Sequence, residues 1–274
     1  MLPVIEIFGK ELSMYMLCAL VGGLVAGISF CMYIGKCGYD DNKAILFIFT
    51  LIGGVVVGGS LLYAITNADK FYLLGEAEDF VGFWKVVLHL FGGSVFYGGL
   101  IGAIIAGSIF IKCAKLPRET YMDGCAFMAP LFHAFARVGC FFAGCCYGVE
   151  SDFGFAAHGN QVTDIGEVSR FPVQLLETLE NLLIFGFIVL LLKKRIQKGR
   201  LFYIYLLCYS VFRFINEFFR GDKIRGFIFG ISTSQFISIL IFIAAVSLLV
   251  YENVKKKENT ADDTINKSIK DEER

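Results

Sequence analysis

Four ionisable residues, Arg137, Arg213, Glu217 and Arg220, stand inside or at the ends of long apolar stretches. A charge there costs a few kcal/mol or more if the stretch lies in lipid, so each is a candidate for function. His133 precedes Arg137 by four residues and Cys140 follows it by three, which puts the three side chains on one helical face. Arg213, Glu217 and Arg220 repeat that spacing further along the chain. Two readings fit Arg213 and Glu217: an ion pair that ties helices together, or part of a site. Cys145 and Cys146 follow Cys140 closely, with Gly144 and Gly148 on either side of them. Cys140 could pair with one of them as a disulfide if the helix breaks at Gly144, while Cys18, Cys31, Cys125 and Cys208 read as small buried hydrophobes. Gln174 with Glu177, and Ser234 with Gln235, open two later apolar runs. Tyr97, Gly98 and Gly99 begin the glycine-rich stretch YGGLIGAIIAG, which suits close helix packing or close approach of backbone to a ligand. GGVVVGGS from Gly53 reads as packing alone.

The elements that carry these residues are long. Apolar runs cover 12–34, 44–66, 86–111, 121–143, 172–192, 201–219 and 231–251, each near the ~20 residues that cross a bilayer as a helix. None alternates with period two, and backbone groups cannot go unpaired in hydrocarbon, so the runs are predicted helices and not barrel strands. Of the 274 residues 56% are apolar and 18% charged, which excludes most soluble classes. The formal net charge is zero, so nothing global suggests a nucleic-acid partner. The fold class is all-α, a polytopic membrane protein of about seven transmembrane helices. The first run is too long for a signal-peptide core and lacks a basic leader, so it reads as a retained helix. The bundle occupies 1–253. The polar segment 254–274 is expected to be a solvated, largely disordered cytoplasmic tail.

Lys and Arg set the orientation. One side of the alternating loops holds Lys36 and Lys43, then Lys112, Lys115 and Arg118, then Lys193, Lys194, Arg195, Lys198 and Arg200, then six in the tail. These 16 face 7 on the other side (Lys10, Lys70, Lys85, Arg170, Arg220, Lys223 and Arg225). The amino terminus is therefore expected outside and the carboxyl terminus in the cytoplasm. In that orientation Tyr97, the segment Arg137 to Gly148, Gln174 and Glu177, Arg213 to Arg220, and Ser234 and Gln235 share one depth in the outward half. Unrelated ion pairs have no reason to share a depth, so a common site facing outside is expected. Two guanidinium groups without an equal number of carboxylates suit an anion, because their forks match phosphate oxygens in pairs. The anion available at that depth is a phospholipid headgroup.

From the third run to the seventh the sequence resembles the prolipoprotein diacylglyceryl transferases. The segments that carry the resemblance are YGGLIG at Tyr97, Asp123 with Ala129 and Pro130, ARVGCFFAGCCYG ending at Gly148, SDFGF at Ser151, RFPVQLLETLE at Arg170, FRFINEFFRGD at Phe212 and STSQFISI at Ser232. The resemblance implies transfer of a diacylglyceryl group from phosphatidylglycerol to the lipobox cysteine thiol of secreted prolipoproteins in a bacterial cytoplasmic membrane, with no cofactor and no metal. It maps the arginines that serve the lipid phosphate onto Arg137 and Arg213. Glu217 and Arg220 match the family's acid and further arginine, and Gln174 and Glu177 match its outer motif. This chain has Tyr97 where the family usually has the His that is its favoured base. It has Cys140 and Ala143 where many members have Asn, and Cys145 where many have Glu. A phenol of pKa ~10 is a poor base at neutral pH; His133 is the substitute candidate, about 6 Å deeper than Arg137 at ~1.5 Å per residue. The remaining candidates, Gly98, Gly99, Cys140, Gly144, Cys145, Gly148, Gln174, Glu177, Arg220 and Gln235, are expected to line the substrate cavity.

Two other readings stay open: a divergent relative that passes an anionic phospholipid to another acceptor, with a cysteine as nucleophile or redox partner, and a lipid-binding or transporting membrane protein without catalysis. The orientation is testable. A membrane-impermeant thiol reagent should label a reporter cysteine placed between Gly154 and Ser169 and miss one placed near Gln197; the opposite pattern overturns the depth argument.

Overall fold

The computed structural model describes residues 4–7, 10–75, 79–156, 168–221, 227–228 and 230–272. A short hairpin of β1 (Val4–Ile7) and β2 (Lys10–Ser13) precedes α1 (Met14–Lys36). Then follow α2 (Asp41–Thr66), a 3-10 turn (Ala68–Leu74), α3 (Phe80–Phe91), α4 (Phe96–Cys113) and α5 (Arg118–Ala143). β3 (Glu150–Ala156) pairs antiparallel with β4 (Ser169–Arg170) ahead of α6 (Val173–Lys193). α7 (Leu201–Asn216) ends in a 3-10 turn (Glu217–Phe219), and the pair β5 (Phe227–Ile228) and β6 (Ile231–Ser232) leads into α8 (Thr233–Glu272). Among the described residues six helices are long and apolar enough to cross a membrane: α1, α2, α5, α6, α7 with its 3-10 turn, and the Thr233–Val254 part of α8. Their large apolar side chains point outward, with Phe49 65% and Ile65 67% exposed. A soluble surface does not carry apolar area on that scale, and a lipid-facing one requires it. The chain is an all-α polytopic membrane protein.

Two expectations need correction. The third run, 86–111, is not one helix. The chain breaks at Gly92 to Val95 because Gly93 lies flat against Tyr63, where a Cβ would come within 2.4 Å of the ring, and because the Val95 N–H leaves the helical ladder and donates to the Gly59 carbonyl at 3.1 Å. The seventh expected span is therefore the 18-residue α4, preceded by the separate α3. The tail also differs from expectation, since α8 runs unbroken to Glu272 where a largely disordered end is predicted. Nothing after Tyr251 is Gly or Pro, and Lys and Glu are good helix formers. The loop 157–167, Lys223 and Arg225, used in the orientation argument, and Asp222, which ends one of the segments carrying the resemblance, lie outside the described residues.

The chain forms two compact units. One comprises Cys31–Tyr121 and is built on α2 packed against α4. Glycines permit that approach: a Cβ on Gly102 would sit 2.1 Å from the Gly54 carbonyl oxygen, and one on Gly98 2.3 Å from that of Gly58. The expectation that GGVVVGGS serves packing holds for Gly54 and Gly58. An apolar groove of about 580 Å³ runs along the same glycine faces.

The other unit comprises Met1–Phe30 and Met122–Arg274. In it α1 packs on α5 at Gly22, which faces Phe135, and at Gly139, which faces Tyr15 and Cys18. Asp123, wholly buried, accepts from the N–H groups of Gly199 (2.7 Å) and Leu201 (3.1 Å), so it caps the entry to α7 and fixes where that helix begins. The helix packing predicts a contrast in the first unit. Gly102→Val should lower stability by about 1–3 kcal/mol through overpacking, whereas Gly53→Ala, with nothing within 4 Å of the added carbon, should be neutral or slightly stabilising. Thermal unfolding in detergent reads both, and equal shifts would remove the packing account.

Candidate active site

The site is assembled in the second unit around one carboxylate. Glu177, on the first turns of α6 and only 4% exposed, faces three guanidinium groups from other parts of the chain. Arg137 of α5 pairs through Nε with Glu177 Oε2. Glu177 Oε1 faces Arg213 Nη1 of α7 at 3.5 Å and Arg220 Nη1, just past α7, at 3.3 Å. Arg213 reaches further, with Nη2 at 2.9 Å from Glu217 Oε2 and donating to Ser234 Oγ of α8 at 2.8 Å. Both readings of Arg213 and Glu217 thus have a structural basis: the pair forms, and it belongs to a larger assembly. Among the described residues three guanidinium groups and two carboxylates meet in this layer, with Arg220 joining the two arginines expected there.

Helical spacing explains how local sequence delivers these groups. Arg137 and Cys140 share a face as predicted, with Arg137 Nη1 3.9 Å from Cys140 Sγ. His133, one turn earlier, stacks at 5.6 Å on Tyr209. It lines a small void of about 10 Å³ together with Glu177, Glu180, Asn181, Arg213 and Asn216, a space of roughly one water molecule. Glu180, a turn deeper than Glu177, accepts from Asn216 Nδ2, and Asn181 Nδ2 donates to the Glu177 carbonyl at 2.7 Å. Among the described residues the Asn181 and Asn216 side-chain oxygens find no partner.

The turn after α5 closes over this layer. The helix stops at Ala143 because Gly144 takes φ +70°, a left-handed value glycine adopts without penalty, and Cys146 follows at +58°. Gln174 Nε2 donates to the Cys145 carbonyl at 2.8 Å and pins the turn to α6. Gly148 forms a backbone bridge with Arg220, so the turn and the end of α7 are fixed to each other; Val149 N–H donates to the Phe219 carbonyl at 3.0 Å and Gly221 N–H to that of Tyr147 at 3.1 Å. A side chain at Gly148 would strike the Phe171 carbonyl at 2.3 Å. Arg170 stacks on Tyr147 at 4.7 Å and donates to the Gly148 carbonyl at 3.4 Å. The break at Gly144 brings Cys140, Cys145 and Cys146 together as free thiols with all three Sγ atoms within 4.8 Å of one another. Hydrogen bonds from Cys140 and Cys145, helped by the charges of Arg220 and Arg137, pull the Cys146 thiol below the ordinary range against its burial. Hydrogen bonds with Cys140 and Cys146, together with burial, push the Cys145 thiol up.

The structure thus brings together His133, Arg137, Cys140, Gly144, Cys145, Gly148, Gln174, Glu177, Arg213, Glu217 and Arg220. Gln235 has a different duty, since its Oε1 accepts from the Ser232 N–H and its own N–H donates to Ser232 Oγ, both at 3.1 Å, a reciprocal cap at the start of α8. Tyr97 sits in the first turn of α4 in the first unit, where packing against α2 accounts for Gly98 and Gly99.

The sequence from residue 3 to 251 matches the family described as prolipoprotein diacylglyceryl transferase. The chain belongs to this family. It is 30% identical over 262 residues to the phosphatidylglycerol--prolipoprotein diacylglyceryl transferase of Clostridium tetani (strain Massachusetts / E88), covering 94% of this chain and 100% of that one. It is also 30% identical over 273 residues to the phosphatidylglycerol--prolipoprotein diacylglyceryl transferase 2 of Clostridium perfringens (strain 13 / Type A), covering 94% and 97%. The Campylobacter hominis enzyme of the same name is 30% identical over 266 residues, with 93% of each chain covered. As a prolipoprotein diacylglyceryl transferase family member the chain is a membrane transferase of lipoprotein maturation, and the arginine layer lies within the segments that carried the resemblance.

Sequence reasoning missed Glu180, Asn181 and Asn216. The signal was there: Glu180 and Asn181 are polar residues within an apolar helical run, the same criterion that selected Arg137. The shared role of Glu177 gives a test. Glu177→Gln leaves three guanidinium groups without their common anion and should cost on the order of 3–5 kcal/mol. Glu217→Gln, which weakens the pair with Arg213 and leaves the shared anion in place, should cost less. If thermal unfolding in detergent shows equal losses, Glu177 is not the hub.

Proposed function

We propose that this chain transfers the diacylglyceryl group of phosphatidylglycerol to the lipobox cysteine thiol of a secreted prolipoprotein, at the outward side of the bacterial cytoplasmic membrane. The single observation that carries the reading is the layer of three guanidinium groups on two carboxylates, set among lipid-exposed helices. Guanidinium forks bind phosphate oxygens in pairs, so arginines gathered at one depth suit a phosphodiester. The outward placement is supported by the 16 to 7 distribution of Lys and Arg.

In this reaction the thiol sulfur attacks the glycerol carbon that bears the phosphate ester. The carbon–oxygen bond breaks, a thioether forms, and glycerol phosphate leaves with the electron pair. Arg137 and Arg213 stabilise the charge that grows on the departing phosphate, the kind of preorganised donor whose loss costs about 10²–10³ in rate. Arg220 and Glu217 hold Arg213 and Glu177 in register. The thiol proton needs a base, since a free thiol of pKa ~8.5 is mostly protonated at neutral pH. His133 is the base of this reading, supported by its place on the void shared with Glu177 and Arg213. Tyr97 orients lipid, with Gly98 and Gly99 beside it. Gly144, Gly148 and Gln174 shape the turn that bounds the site, and Cys140 and Cys145 stand where the acceptor thiol arrives.

A second reading, a lipid donor with another acceptor, is favoured by the three thiols beside Arg137. One experiment separates the readings. Purified protein is incubated with phosphatidylglycerol and a lipobox peptide, and the peptide is weighed by mass spectrometry. Added diacylglyceryl mass is expected; lipid consumption without peptide modification supports the second reading, and binding without turnover rejects catalysis. Arg137→Lys and Arg213→Lys should each lower turnover by roughly 100-fold or more, because Lys keeps the charge and loses the fork. Near-normal rates in both would leave the arginines as structural pairs. His133→Gln should lower transfer to the lipobox peptide, and full activity in that variant would remove His133 as the base.

A further inference from the structure

We infer that Cys140, Cys145 and Cys146 form a binding site for one soft metal ion of the zinc and copper(I) class. The inference stands apart from the transfer reaction, for which the resemblance implies no metal.

The three sulfurs come from two different pieces of backbone. Cys140 lies in the last turn of α5, buried, while Cys145 and Cys146 belong to the turn that folds back over it. That fold-back is specific. It needs the left-handed Gly144, it places a non-glycine residue, Cys146, at φ +58°, and it is locked by the Cys145 N–H donating to the Cys140 carbonyl at 3.2 Å and by Gln174 on the Cys145 carbonyl. The outcome is three Sγ atoms mutually within 4.8 Å. A metal bound to three thiolates at ~2.3 Å holds its sulfurs ~3.8 Å apart. The cluster therefore needs a closure of about 1 Å, within the reach of a side-chain rotation.

The donor set selects the metal class. Thiolate sulfur prefers zinc and copper(I) over magnesium, calcium or manganese, which seek oxygen. Three protein sulfurs complete a trigonal copper(I) site, or leave one position of tetrahedral zinc to an external ligand. The electrostatic setting agrees. A tris-thiolate complex of either ion carries net negative charge, and Arg137, with Nη1 at 3.9 Å from Cys140 Sγ, supplies an opposing charge beside it. No redox step is involved: the thiols release protons to the medium and three metal–sulfur bonds form.

A bound metal would tie the end of α5 to the turn that carries Gly148 and, through its backbone bridge, Arg220. Occupancy therefore bears on the same arginine layer without being part of its chemistry.

The test uses the full-length protein, purified in detergent with reductant and stripped of metal. Cadmium serves as the spectroscopic probe, because cadmium thiolates absorb in the ultraviolet, and zinc and copper(I) are titrated in competition with it. The expected result is one cadmium per chain, a thiolate absorbance that Cys140→Ser, Cys145→Ser and Cys146→Ser each weaken, and displacement by zinc or by copper(I). Cys113→Ser, which alters an exposed thiol outside the cluster, should bind as the unaltered chain does. Stoichiometric binding to the unaltered protein answers the question even if a cluster variant fails to fold. Absence of absorbance in the reduced protein, or equal absorbance in all three cluster variants, overturns the site. So does a purified chain two mass units light whose Cys140 alkylates only after reduction, since the thiols then serve as a disulfide.

Discussion

The arrangement depends on the sharing of Glu177 by Arg137, Arg213 and Arg220. A single buried guanidinium in a membrane bundle is costly, and a lone carboxylate equally so. Three cations around one two-oxygen anion, with Glu217 taking part of Arg213, reduce that cost without cancelling it. The partners come from α5, α6 and the end of α7, and Ser234 brings α8 to the same point. Four segments are thereby held at one level by electrostatics, where apolar packing in lipid gives little preference for depth. The register of these helices is a property of the charged layer as much as of their hydrophobic faces.

Around that layer the backbone does what side chains cannot. The turn from Gly144 to Val149 is joined to the residues after α7 by main-chain hydrogen bonds at Val149 and Gly221, and to α6 by Gln174. Such bonds satisfy the carbonyl and amide groups freed where helices end, a need that is acute near a membrane. They also fix Arg220 from both sides, by its backbone bridge to Gly148 and by its side chain to Glu177. The close contact of Gly148 with the Phe171 carbonyl shows why that position tolerates no side chain.

Much of this was legible in the sequence. Arg137 and Arg213 stood out because charge in an apolar run is expensive, and their positions on helical faces followed from three- and four-residue spacing. A break at Gly144 entered only as the condition for a disulfide with Cys140; the helix does end there, with the three thiols free. What stayed hidden was of two kinds. Hydropathy cannot see a helix break whose cause is a distant partner, and the interruption at Gly92 to Val95 is set by Tyr63 and Gly59 of another helix. Nor can spacing tell a polar residue that caps from one that faces a ligand: Gln235 was grouped with the site by depth, and its side chain closes the first turn of α8 instead. Glu180 was visible as a polar residue in an apolar run, but its pairing with Asn216 of another helix left no trace in either segment alone.

The charged layer also bears on how a lipid phosphate would be received. In the proposed reaction the donor must find guanidinium groups already aligned, since ordering long side chains at the moment of binding would consume affinity. Glu177 provides that alignment, engaging Arg137 through Nε and Arg213 and Arg220 through one Nη each. The contacts of Arg213 are divided, with Nη2 serving Glu217 and Ser234 while Nη1 faces Glu177 at 3.5 Å and, among the described residues, makes no hydrogen bond. An incoming phosphodiester can therefore recruit Nη1 at small cost while the rest of the side chain stays anchored. The layer is held firmly enough to be preorganised and loosely enough at one donor to accept a further anion.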